Sequence, residues 1–83
     1  MNTRSRKRFS TRLDRSTRRA VREYCQAHPD SPAAQRHPRV GWDHGRYIAL
    51  LGRSLDRGII GFGSSIASAL HTFDDLYRKS RRV

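Results

Sequence analysis

Eighty-three residues allow one small domain at most, and 18 Lys and Arg against 7 Asp and Glu, a formal +11, call for an anionic partner. A single cysteine excludes an internal disulfide, no apolar run approaches the ~20 residues of a membrane span, and no apolar signal core follows the basic N-terminus. A soluble chain, cytoplasmic or associated with the nucleoid and without membrane contact, is the expectation.

The charge sits at the two ends. Residues 1–27 carry nine cations against Asp14 and Glu23, a net +7, and residues 78–83 add Arg78, Lys79, Arg81 and Arg82, a net +4. Residues 43–77 set Arg46, Arg53 and Arg57 against Asp43, Asp56, Asp74 and Asp75, a net −1. The folded unit is therefore near neutral between basic extremities.

Residues 1–10, MNTRSRKRFS, lack apolar periodicity and predict a disordered basic arm with Arg4, Arg6, Lys7 and Arg8. One domain is predicted over 11–79. Thr11-x-x-Asp14 fits a capping box with Asp in place of Glu or Gln, which predicts a helix over 12–27. Leu13, Thr17, Ala20, Val21 and Tyr24 fall within roughly 100° of arc, and Arg12, Arg15, Arg18, Arg19 and Arg22 cluster opposite. A charged stripe is usually a solvated helix face, but such faces alternate acid with base. Arginines this dense repel one another unless an anion is near, and their planar forks suit phosphate; an acidic protein surface is the other candidate.

His28-Pro29-Asp30-Ser31-Pro32 ends that helix, and 28–41 reads as a loop in which Arg39–Trp42 forms a short strand or edge segment. Trp42 is expected as a lid over the core in preference to a base-stacking platform. Asp43-His44-Gly45 turns into a hairpin over 46–63, with Tyr47–Leu51 and Ile59–Phe62 joined by the turn-rich Gly52–Gly58. A rival reading makes Asp43–Arg57 one helix, with Tyr47, Leu51 and Leu55 at helical spacing and Gly58 as its stop. Apolar runs this short do not settle the choice by period, but the glycines favour the hairpin.

A second helix is predicted over 65–79, started by Ser64 or Ser65. Ile66, Leu70, Phe73 and Tyr77 make its apolar stripe, flanked by Ala69 and Leu76. His71, Thr72, Asp74, Asp75, Arg78 and Lys79 fall opposite, with Asp74–Arg78 and Asp75–Lys79 spaced as ion pairs. Residues 80–83 are a basic tail.

No constellation points to catalysis or a cofactor. Cys25-x2-His28 has finger-like spacing, but His37 and His44 are too far apart to complete a zinc site. Cys25 reads as a small helix residue. Adjacent Asp74 and Asp75 point about 100° apart on a helix, so they do not face each other as an acid–base pair. Gly58-x2-Gly61-x-Gly63 lacks the Gly-Lys-Ser/Thr of a phosphate loop, and Ser64 and Ser65 have no triad partners at a known spacing.

Gly61-Phe62-Gly63-Ser64-Ser65-Ile66-Ala67-Ser68-Ala69-Leu70, entered from a hairpin, resembles the strand-to-helix junction of HicB-type antitoxins over residues 45–77. That resemblance implies a small regulator that binds one protein partner. The order of elements is also similar to that of double-stranded-RNA-binding domains: helix, three strands, helix. Gly61, Gly63 and Ser65 match the Gly-x-Gly-x-Ser opening of that family's second helix, which implies RNA binding, while Ile66 and Ala67 stand where its lysines reach phosphate.

These readings converge on a small α+β domain: a basic N-terminal helix, a β-hairpin or a three-stranded antiparallel sheet that includes Arg39–Trp42, and an amphipathic C-terminal helix. The expected function is non-enzymatic binding of DNA or RNA through Arg4–Arg22, with Arg78–Arg82 as a second contact. The alternative is a phage- or antitoxin-type regulator that binds a protein through its sheet edge or helix. A homodimer through an exposed strand edge is compatible with either.

Overall fold

The structure is a computed structural model that describes residues 13–52 and 58–81. Its elements run α1 (Arg15–Ala27), α2 (Pro32–Arg36), β1 (Arg39–Asp43), β2 (Arg46–Gly52), β3 (Gly58–Gly63) and α3 (Ile66–Ser80). The class is α+β: a three-stranded antiparallel sheet in the order β1-β2-β3, with helices before and after it.

The helix expected over 12–27 starts at Arg15. Asp14 is its N-cap, and its carboxylate accepts the Thr17 N–H at 2.8 Å. A carboxylate that reaches the first turn directly makes the Thr11 box unnecessary; Thr11 and Arg12 lie outside the described residues. The hydrogen bonds from Thr17 hold the Asp14 carboxyl below its ordinary range.

The segment 28–41 is not all loop. Ser31 caps a five-residue helix, accepting the Ala34 N–H at 3.2 Å, with Pro32 at its first position and His37 ending it in the left-handed region at φ 54°. Five residues are too few to show a helical period, so α2 was hidden among its prolines.

β1 and β2 meet in the register Asp43↔Arg46. Both turn residues, His44 (φ 50°) and Gly45 (φ 78°), have positive φ, the condition for a tight turn that matches strand twist. β2 pairs with β3 from Tyr47↔Gly63 to Gly52↔Gly58, which rules out the single helix over 43–57 for the described residues. The turn 53–57 lies outside them.

Side chains alternate across the sheet. Val40 and Ala49, with half-buried Tyr47, Leu51 and Ile59, share a core with Ala33, Ile66, Leu70 and Phe73 beneath the helices. Ile48 and Leu50 gather with Ile60 on the other face. Phe73 is fully buried, and removing a ring of that size from water contributes roughly 1.5–3 kcal/mol. α3 can reach the strand because of glycine. A Cβ on Gly61 would collide with backbone atoms of Ala69 and Phe73, and one on Gly63 with Ser68 and Ala69.

α3 begins as expected, at a Ser65 cap. The Ser65 and Ser68 hydroxyls each accept the other residue's N–H at 3.1 Å, closing a capping box. Two expectations for neighbouring residues fail. Asp74 is not on the solvent side: it is 2% exposed, and its carboxylate accepts the Tyr24 hydroxyl at 2.6 Å and the Ala33 N–H at 2.8 Å. The predicted Asp74–Arg78 and Asp75–Lys79 pairs give way to contacts of Asp75 with His71 (3.8 Å) and Arg78 (4.0 Å). Trp42 is no core lid. On edge strand β1, beside the turn, it remains 45% exposed, with its ring centroid 4.9 Å from that of Tyr47 in a T-shaped arrangement. No described helix is long and apolar enough to cross a membrane.

Candidate functional site

Asp74 positions the basic helix. It joins α3 to α1 through Tyr24 and to α2 through Ala33, so three helices are fixed about one buried carboxylate. Burial, followed by the hydrogen bond to Asp74, pushes the Tyr24 phenol well above its ordinary range and keeps it a donor. With Leu13, Ala20, Val21 and Tyr24 packed on the core, the opposite face of α1 is turned outward.

That face carries Arg15, Arg18, Arg19 and Arg22, all exposed. None of the four lies within 4.0 Å of a carboxylate among the described residues. Arg18 and Arg22 stand over a groove of about 350 Å³ whose apolar lining is Leu13, Val21, Pro38 and Val40. Other arginines are engaged by the fold. Arg39 donates to the Gly52 carbonyl at 2.9 Å, and the Arg46 guanidinium lies 4.3 Å from the centre of the Phe62 ring.

A second recess, of about 460 Å³, forms where α1 and α3 begin, lined in part by the hydroxyl residues Ser16, Thr17, Ser64 and Ser65. Ala67, where the RNA-binding resemblance would place a lysine, lines it and brings no charge.

Arg78, Lys79 and Arg81 are exposed at the end of α3, and two of them join residues that the sequence did not mark as part of a site. Arg36, from α2, and Tyr77 meet Arg78 and Arg81 around one cavity. Only the arginine count could have suggested Arg36, because its partner is 41 residues away. Arg4, Arg6, Lys7, Arg8, Arg12 and Arg82 lie outside the described residues.

Burial pushes the Cys25 thiol up, away from the thiolate form, and no three His, Cys, Asp or Glu residues gather as a metal site among the described residues. No family model, curated protein or solved structure matches the chain.

Proposed function

We propose that this chain is a non-enzymatic nucleic-acid-binding protein, of cytoplasmic setting, whose α1 arginines contact phosphates. The arm residues Arg4, Arg6, Lys7 and Arg8, with Arg12 and the C-terminal Arg78, Lys79, Arg81 and Arg82, extend the same contact. One observation carries the reading: four guanidinium groups share an exposed helix face without an ion pair to any described carboxylate. Such a face is electrostatically unfavourable alone and becomes favourable against a phosphate backbone, where released counterions drive binding. Contacts of this kind give affinity with little sequence information, so DNA and RNA are both ligands at low salt.

The test is a salt titration of binding to mixed-sequence duplexes, wild type against Arg15→Gln/Arg18→Gln/Arg19→Gln/Arg22→Gln. Each lost phosphate contact lowers the log–log slope by ~0.9, so the fourfold variant should lose about 3–4 units. A wild-type chain that stays unbound at low salt defeats the reading.

A second reading rests on β3. This outermost strand, GIIGFG, has no charged residue and no proline to block strand addition. Phe62 (40% exposed) lies on it. Leu76 (39% exposed) is about 200° around α3 from Asp74, hence turned away from α1 and α2. A protein partner or a second copy pairing there would survive the fourfold Arg→Gln change, which separates the two readings.

A further inference from the structure

We infer that the cavity between the ends of α2 and α3 is a dedicated phosphate site, held by Arg36, Arg78 and Arg81 around Tyr77. The cavity measures about 510 Å³, within the ~300–1,000 Å³ typical of ligand pockets. Three guanidinium groups line it against one carboxylate, Asp30. Neither Arg36 nor Arg81 pairs with a carboxylate within 4.0 Å among the described residues, and Arg78 reaches Asp75 only at 4.0 Å.

Two of the three arginines are held by Tyr77. The Arg36 Nε–H donates to the Tyr77 hydroxyl at 2.8 Å, which fixes the guanidinium plane and leaves its two terminal amino groups as donors. The Tyr77 ring has Arg36 at 5.7 Å and Arg81 at 5.8 Å from its centroid, so one aromatic side chain orients two cations. Guanidinium forks that line one cavity can each pair with two phosphate oxygens.

The site is tied to the α1 surface by a short stretch of chain. Arg36 lines this cavity and Pro38 lines the Arg18–Arg22 groove, and two residues of chain span at most ~7 Å. A nucleic acid on α1 could therefore place a neighbouring phosphate here. Free phosphate tests this site independently of the α1 surface.

The experiment follows the arginine Nε–Hε NMR signals of the full chain during titration with inorganic phosphate, with chloride at matched ionic strength as control. The Arg36 and Arg81 signals should shift saturably with phosphate alone. Arg36→Gln and Arg81→Gln should each weaken the response about ten-fold or more, with the amide spectrum reporting an intact fold. Arg18→Gln/Arg22→Gln should leave it unchanged, which keeps this result separate from that of the α1 surface. Oligonucleotides with and without a 5′-phosphate then identify the source. Tighter binding of the phosphorylated strand assigns a terminal phosphate, and equal binding that still weakens in Arg36→Gln assigns an internal one. A response no different from chloride, or one that persists in both single variants, overturns the inference.

Discussion

At the scale of single residues, Asp74 shows what a periodic pattern conceals. Its sequence neighbours Asp75 and Arg78 are exposed, and it borders the apolar stripe between Leu70 and Tyr77, where an acid is ordinarily assigned to solvent. The structure uses it as a shared acceptor for a phenol and a backbone N–H, and the value of those bonds lies in what their loss would strand. Asp74→Ala leaves the Tyr24 hydroxyl and the Ala33 N–H without that acceptor, so urea unfolding should show a loss of about 2–4 kcal/mol. A loss below ~0.5 kcal/mol would mean that the three helices do not depend on this carboxylate. Tyr24 gives the same junction a pH signature. Its folded-state phenol titrates above the ordinary 10.0, so its contribution is intact below that value. As pH rises further, the unfolded chain ionises before the folded one and the contribution is lost. Unfolding measured at about pH 8 and about pH 11 should show that fall in the wild type and a smaller one in Tyr24→Phe.

At the scale of elements, legibility followed length and local chemistry. α3 announced itself through Ile66, Leu70, Phe73 and Tyr77, and the hairpin through glycines at both ends of each apolar run. α2 did not, because Ser31-Pro32 is an N-terminal signal that also serves loops, and five residues carry no period. The Arg36–Tyr77 contact could not be read at all, since nothing local in sequence ties α2 to the end of α3. The glycines of β3 favoured the hairpin in the sequence, and the structure adds that α3 packs directly onto two of them. The Cβ of Gly61→Ala would strike the backbone of α3, which cannot rotate away as a side chain could. The helix must lift from the sheet, and Tm and urea unfolding should report a cost of about 1–3 kcal/mol or more. Gly45→Ala meets no atom within 4 Å and suffers only from its φ of 78°, so it should cost clearly less. Equal losses at both sites would refute the account of β3 as the strand that α3 rests against.

At the scale of the whole molecule, the separation of charge from core predicts opposite responses to salt from one set of side chains. A core of near-neutral sequence sits between cationic ends, and α1 stands against it with four exposed arginines whose mutual repulsion no described carboxylate relieves at ion-pair distance. Salt screens that repulsion in the free chain, with a Debye length that falls from ~30 Å at 0.01 M to ~8 Å at 0.15 M. The free protein should therefore become more stable as salt rises, while its complex with nucleic acid weakens, because the same screening and counterion effects oppose phosphate contacts. Replacing Arg15, Arg18, Arg19 and Arg22 with Gln should raise Tm at low salt and flatten its dependence on salt. If these arginines instead made stabilising contacts of their own, the variant would melt lower than the wild type at every salt concentration. Thermal melts of the two proteins across a salt series, with chloride as the only anion so that phosphate binding does not contribute, decide between a face kept for a partner and one kept for the fold.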